Sequence, residues 1–465
     1  MTRHYHLESA LLREGWVSGA RVSVTAEGII SRVELGGTLD GAELERVPGF
    51  VVPGMPNGHS HAFQRGMAGN TEYRLSAQDS FWTWRRAMYA LASRISPEDL
   101  ETLATQLFVE MLKSGYTSVA EFHYLHRDTG GELYAGANEL WESVTRAAAA
   151  AGIGLTFLPT LYQTSDFGAQ PLKPEQARFA LDTDQFLCAI DERISAERRL
   201  GSPLRRTGAA FHSLRAVPLG SLHQAVRGLR GIDAAMPVHI HIAEQVKEVE
   251  SCLASTGRRP IELLLDSGVV DRHWCLVHAT HATPKELEGI AAAAAAVCVS
   301  ISTEANLGDG FFDAARFLRL GGRICVGSDS QATVCPAEEL RWMEYQARLR
   351  KKRRGVLADP SETHVGTRLW RDAARHGASA LGQPAGEIAA GARADWVVLD
   401  AAHPSMAGAD RTTALDHLLF AGGSAAIRDV MVGGRWVVKD RRHAVESALA
   451  APFHELMSRL RLSAE

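Results

Sequence analysis

Eight short, nearly continuous apolar runs recur between residues 49 and 328, and they limit the fold more than any other feature of the chain. They are Gly49 to Pro56, Thr117 to Tyr124, Gly154 to Tyr162, Ala209 to Leu214, Pro237 to Ile242, Trp274 to Ala279, Ala296 to Ser302 and Arg323 to Ser328. Helical stretches such as Pro97 to Ser114 and Glu244 to Ser255 lie between them. Apolarity without alternation fits parallel strands buried on both faces. Eight such strands with intervening helices predict an α/β chain folded as a (β/α)8 barrel over about residues 54–385. Both chain ends have a different texture. Trp16-Val17, Arg21 to Val24 and Gly28 to Val33 read as short strands, as do Ala394 to Asp400 and Arg428 to Lys439, with a hairpin turn at Gly433-Gly434. We expect residues 1–53 and 386–445 to pair into one small β-sandwich, with a C-terminal helix over 446–465. Separate sheets at the two ends would give the same local pattern.

Composition narrows the function. The 465 residues carry 50 Lys+Arg against 54 Asp+Glu, a net charge of −4, which argues against a nucleic-acid coat and against a disordered chain. The basic run Arg348 to Arg354 therefore reads as a solvated helix end. No phosphate-binding loop occurs. The N-terminus lacks a signal-type apolar region, and the apolar stretch Gly289 to Ile301 is too short for a bilayer, so no membrane association is expected. The six cysteines form no C-x-x-C pair, which predicts free thiols in a reducing, cytoplasmic compartment. The 19 histidines then suggest that any bound metal takes imidazole and carboxylate ligands.

In a barrel of this type the reactive side chains stand at the C-terminal ends of the strands. The first run leads into Asn57-Gly58-His59-Ser60-His61, two imidazoles on one side of an extended segment. The fifth ends His239-Ile240-His241, with Glu244 just beyond; the sixth ends at His278; the eighth ends Gly327-Ser328-Asp329. Any one of these alone is compatible with a packed histidine or a helix cap. Together, in a closed barrel, they converge as a mononuclear metal site with a spare acid or base. Parity leaves open which of His239 and His241 binds, because both face the same way.

The series P-G-x-x-N-x-H-x-H, H-x-x-E, a strand-end His and G-S-D resembles the amidohydrolase superfamily over nearly the whole chain, including the returning segment Gly391 to Asp400. The resemblance implies a distorted barrel with a two-ended β-sandwich and a hydrolytic metal centre. It implies His59, His61, His241 and Asp329 as metal ligands, with Glu244, His278 and Asp329 handling protons. The H-x-x-E register favours His241. Binuclear members carry a lysine on the fourth strand, whereas this chain reads AAFHSLRA there. That implies one metal per subunit, Zn2+ by default, with iron or manganese as alternatives.

The substrate must be read from the remaining rim residues. Guanidinium forks suit carboxylates, and two well-separated arginine sites would suit a dicarboxylate. Arg215, after the fourth strand, is the best placed. The segments HSHAFQR, FWTWRRAMY, EFHYLH, HSLRAV, HIHIAEQ, VHATH, TEANLGDG and GSDS, in this order, resemble the deiminases of bacterial histidine degradation that act on N-formimino-L-glutamate. That resemblance implies Gln64, Arg85, Tyr124, His212 and Arg215 as binders of the glutamate portion, and a homodimer. Only the motif match separates Arg85 from Arg86. The implied reaction is hydrolysis of the formimino group to N-formyl-L-glutamate and ammonia, with Glu244 protonating the departing nitrogen and His278 and Asp329 activating water. The alternatives are a related deaminase acting on N-formimino-L-aspartate, a purine or a pyrimidine, and a non-catalytic barrel serving as a scaffold.

Overall fold

The computed structural model describes residues 1–36, 44–72, 81–134 and 138–461. Eight parallel strands form the barrel wall: Met55–Ser60, Tyr116–His123, Gly154–Leu161, Ala209–Phe211, Val238–Ile242, Trp274–His278, Ala296–Val299 and Arg323–Val326. Most of them are buried at every position, which is why their sequences do not alternate. The helices between them begin where their sequences say they should. Ser96 and Asp99 form a reciprocal capping box ahead of Pro97–Lys113, and Thr283 and Glu286 do the same ahead of Pro284–Ala292.

The structure divides two of the expected runs: Ala296 to Ser302 gives a strand to Val299 and then the start of the helix Ile301–Leu307, and Gly49 to Pro56 is split between two strands. Residues up to Pro53 belong to the end-domain strand Leu44–Pro53, and a new strand, Met55–Ser60, starts the barrel. Gly54 makes this handover possible, since a Cβ there would lie 2.3 Å from the Thr117 side chain. Trp370, on the last barrel helix Val365–Leu381, pins the same point by donating its indole N–H to the Pro53 carbonyl at 2.9 Å.

The two chain ends do meet, and they meet in one continuous eight-stranded sheet. Its order is Arg442–His443, Arg435–Lys439, Ile427–Val432, Trp396–Leu399, Leu44–Pro53, Arg3–Leu12, Gly15–Val24, Ile30–Leu35. All neighbours are antiparallel except Arg3–Leu12 with Leu44–Pro53. One face closes over its own apolar core, in which Tyr5 meets Trp396 edge-on at 5.3 Å between ring centroids. Gly433 and Gly434 turn the expected hairpin with φ of 55° and 71°, the left-handed pair that suits a two-residue loop. The C-terminal helix runs Glu446–Leu460; residues 462–465 of the expected span lie outside the described residues. The basic run ends the helix Pro336–Lys351, with Arg348 paired to Glu344.

Closure of the barrel is made by side chains as well as backbone. Asn57 donates to Ser328 Oγ at 2.7 Å and accepts from the Ser328 N–H at 3.1 Å. The Asp329 N–H reaches the His59 carbonyl at 3.0 Å, and the His61 N–H reaches the Asp329 carbonyl at 3.2 Å. Gly327 lies in this seam, where a Cβ would stand 2.8 Å from both Cβ and O of His59. Gly327→Ala is therefore expected to destabilise the fold by about 1–3 kcal/mol, as overpacked core substitutions do. Urea unfolding with an unchanged midpoint would contradict this.

Candidate active site

The first strand carries its two histidines to one point because of a bulge. Asn57 pairs with Val119 and Ser60 with Glu121, so three steps on the first strand face two on the second. The two Nε2 atoms end 3.1 Å apart. His241 joins them from the fifth strand, its Nε2 3.0 Å from that of His59. Asp329 Oδ1 lies 3.5 Å from His59 Nε2 and 3.4 Å from His61 Nε2. All four are buried.

Their outer atoms fix which nitrogen looks inward. His61 Nδ1 donates to the Phe122 carbonyl at 2.8 Å, and His241 Nδ1 donates to the His212 carbonyl at 2.9 Å. A carbonyl only accepts, so in each neutral ring Nε2 presents a lone pair. His59 Nε2 thus faces two lone pairs, and a single proton on it can serve one of them. A divalent cation serves all three nitrogens and the carboxylate, so this donor set fits a metal. Protons offer little competition. Burial lowers His59 to about 3, helped by its histidine neighbours, and also pulls His61 and His241 below the ordinary imidazole value.

His239 is placed elsewhere. It points to the same side of the strand as His241 but one layer deeper, where its Nε2 meets the Ala380 carbonyl at 2.9 Å. Depth along the barrel separates the pair that parity left together.

The proton-handling candidates surround the cluster. His278 Nε2 lies 3.7 Å from Glu244 Oε1 and 3.7 Å from Asp329 Oδ2. Its Nδ1 lies 3.3 Å from Glu304 Oε1, a carboxylate with no exposed surface. Burial works against a charge on His278, but Glu244, Glu304 and Asp329 outweigh it and raise the imidazole to about 10. Burial likewise drives Glu244 up to about 7, with Asp329 and Glu248 adding to the effect and His278 opposing it. Asp329 is held below the usual carboxylate range, because the surrounding imidazoles overcome the cost of its burial.

One cavity opens onto this centre. Gln64, Arg85, Tyr124, His212 and Arg215 all line it, together with His61, His241, Glu244, His278 and Asp329. Gln64 donates to the Tyr124 hydroxyl at 2.8 Å. Arg85 and Arg215 reach the Tyr162 hydroxyl from two different elements, each at 3.4 Å. Sharing one oxygen keeps those two nitrogens within twice that distance of each other. Helical phase also separates Arg85 from Arg86. Both sit on Phe81–Ala92, and Arg85 lines the cavity while Arg86 is exposed. The side chain of Trp82, in the same segment, lies outside the described residues.

The sequence pattern of the Amidohydrolase family matches residues 50–437. The chain belongs to the amidohydrolase family. It is 48% identical over 457 residues to a formimidoylglutamate deiminase of Pseudomonas aeruginosa, an alignment covering 97% of this chain and 98% of that one. A crystal structure of an amidohydrolase from Brucella melitensis superposes with a TM-score of 0.92 at 40% identity, covering 99% of this chain and 100% of that one. An adenosine deaminase from Xanthomonas campestris, solved with bound zinc, shares the fold with a TM-score of 0.80 at 20% identity, covering 98% of each chain.

As an amidohydrolase centre, the site contains supporting residues that the sequence reading did not single out. Glu304, fully buried, and Glu248, half-buried, place carboxylates beside the proton-handling pair. Glu304 lies in the TEANLGDG segment, but spacing gave it no role. Tyr162 closes the third apolar run, so the same strand-end test that found His278 points to it as well. Among the described residues, no helix is long and apolar enough to cross a membrane.

Since burial holds His59, His61 and His241 below the ordinary imidazole value, metal should stay bound as the pH falls through about 6.5. Metal content after gel filtration at stepped pH checks this, and half-loss above pH 6.5 would contradict it. At pH 7.5, His241→Ala should lose the metal and His239→Ala should keep it.

Proposed function

We propose that this chain is a metal-dependent deiminase that converts N-formimino-L-glutamate and water to N-formyl-L-glutamate and ammonia. The observation that carries the reading is the shared cavity: two guanidiniums, Arg85 and Arg215, open onto the same space as the His59–His61–His241–Asp329 cluster. The near full-length similarity to a formimidoylglutamate deiminase supports it. A purine or pyrimidine has no carboxylate for those arginines to hold, which weighs against the nucleobase alternative.

His59, His61, His241 and Asp329 would hold the cation. When bound, it lowers the pKa of a coordinated water to about 7 and so supplies a nucleophile at neutral pH; zinc fits this donor set. The chain's own residues do the rest. Arg85 and Arg215, with Gln64, Tyr124 and His212, hold the two carboxylates and set the formimino carbon over the cluster. Asp329 and His278 orient the water and take its proton. A bound cation would offset the carboxylates that hold the His278 proton and so leave Nε2 able to accept one. The water oxygen adds to the formimino carbon, which becomes tetrahedral. Glu244, at about 7, holds a transferable proton near neutrality and gives it to the terminal nitrogen. The carbon–nitrogen bond then breaks and ammonia leaves, while the added hydroxyl passes its remaining proton to the emptied Glu244 carboxylate and becomes the carbonyl of the N-formyl group. The same reading carries a cytoplasmic homodimer.

Steady-state ammonia release on N-formimino-L-glutamate tests the assignment. Glu244→Gln should lower kcat by about 100-fold or more, the scale of a lost general acid, with little change in KM. Arg215→Ala should raise KM at least tenfold with a smaller effect on kcat. Near-normal turnover in Glu244→Gln would remove that residue from its role. Rapid guanine or cytosine deamination by the unaltered protein would defeat the dicarboxylate reading. Absence of metal in the purified protein, with no activity on adding it back, would favour the scaffold.

A further inference from the structure

Behind the two arginines stands a residue that does not line the cavity. Tyr162 follows the third barrel strand and is 1% exposed. Its hydroxyl receives Arg85 Nη2 and Arg215 Nη1, each at 3.4 Å, and Gln176 Nε2 at 2.8 Å. The direction of the last bond is fixed. Gln176 Oε1 already accepts the Lys173 N–H at 3.0 Å, so the amide must turn its NH2 toward the phenol. Three nitrogen donors from three separate elements therefore converge on one oxygen. The phenol ring also packs edge-on against His212 at 4.6 Å between centroids. Tyr162 thus touches three of the five residues assigned to the substrate's glutamate portion, without reaching the cavity itself.

Two guanidiniums drawn together in a buried site repel each other, and an oxygen between them relieves that repulsion while fixing their spacing. The arginines do not lean on Tyr162 alone. Arg215 Nη1 also donates to the Ser165 carbonyl at 2.7 Å, and Arg85 lies over the Tyr89 ring at 5.1 Å. Tyr162 accepts a hydrogen bond from both, so it ties their positions to each other, while Ser165 holds Arg215 to the wall and Tyr89, whose ring lies under Arg85, faces both charges. Burial alone would raise the Tyr162 phenol, yet Arg215 and Arg85 bring it below its usual value, in line with an oxygen that is the meeting point of both charges.

We propose that Tyr162 is a positioning residue which fixes the separation of Arg85 and Arg215 and so selects the length of the dicarboxylate that reaches the metal centre. This rests on the deiminase reading for the identity of the substrate, but not for the geometry. A glutamate chain and an aspartate chain differ by one methylene between their carboxylates. A rigid arginine pair matches one spacing, and a loosened pair accepts both.

The test uses the metal-loaded protein and its Tyr162→Phe variant, which removes one oxygen. Gln176→Leu serves as a second variant, which removes a donor to that oxygen and leaves the phenol in place. Two readouts are taken: kcat and KM on N-formimino-L-glutamate and N-formimino-L-aspartate, and calorimetric binding of N-formyl-L-glutamate and N-formyl-L-aspartate. The unaltered protein should prefer the glutamate compound at least tenfold in both readouts. Tyr162→Phe should raise KM for the glutamate substrate at least tenfold, leave kcat within about threefold and shrink the preference to threefold or less. Gln176→Leu should move the preference in the same direction by a smaller factor, and it decides the matter if Tyr162→Phe does not retain metal and native unfolding behaviour. A preference unchanged in the folded variants, or absent from the unaltered protein, overturns the proposal. If neither formimino compound is turned over but the binding preference exists and Tyr162→Phe abolishes it, the deiminase reading falls and the positioning role stands.

Discussion

The seam between the first and eighth barrel strands is the constraint on which the rest of this molecule depends. It closes the barrel, and it also supplies His59, His61 and Asp329 to the metal cluster. Asn57 and Ser328 bond to each other across it in both directions, and the backbone of Asp329 bonds to that of His59 and His61. The bulge between Asn57 and Ser60 is what lets both histidines look inward beside an aspartate from the other edge. Gly327 leaves no room for looser packing. Fold closure and ligand geometry are therefore one structural event, and a change that opened the seam would scatter three of the four ligands at once.

A second constraint is charge. Glu244, Glu304 and Asp329 are gathered around one imidazole in a region almost free of solvent, with Glu248 close by. Buried carboxylates at this density are costly unless positive charge accompanies them. His278 supplies some of it, which is why its imidazole rises to about 10. A cation held by the adjacent cluster would supply more. The basic arm of the cavity, Arg85 with Arg215, borders this acidic arm at Glu248, whose charge and that of Arg215 favour each other, and Tyr162 backs both arginines. A substrate with a cationic formimino end and two carboxylates matches this polarity along its length.

The barrel could be read from the sequence because all eight strands are buried on both faces and so appear as plain apolar runs. The meeting of His59, His61, His241 and Asp329 could be read because strand ends converge in any closed barrel, wherever the helices fall. What the sequence left ambiguous has specific physical causes. His239 and His241 share a face, and only depth separates them. Arg85 and Arg86 are neighbours in sequence but about 100° apart around a helix, a phase that requires the helix to be seated. The run Gly49 to Pro56 is continuous in hydrophobicity but crosses from sheet to barrel at Gly54, because apolarity does not report which layer a strand joins. Glu304 escaped notice since a buried carboxylate is recognised by its partner, His278, which lies 26 positions away.

The rim around the cluster holds five of the ten non-glycine residues with positive φ among the described residues. Ala243, His278, Ala279, Asp329 and Gln331 all have positive φ, from 45° to 69°, and none is glycine. Such conformations cost of order 1–3 kcal/mol each and persist only where the surroundings over-determine them. Here the surroundings are visible. The Ala243 N–H is taken by Glu248, the Ala279 N–H by the Ile242 carbonyl, and the Gln331 side chain is tied to Ser60 and to the Asp329 carbonyl. Two of these bonds join neighbouring strand ends, Ala279 to Ile242 and Gln331 to Ser60, and the other two hold their own loops, Ala243 to Glu248 and Gln331 to Asp329. Strained residues at the ends of the fifth, sixth and eighth strands let the barrel wall stay regular while the side chains of the cluster stand at angles a relaxed strand end would not give them.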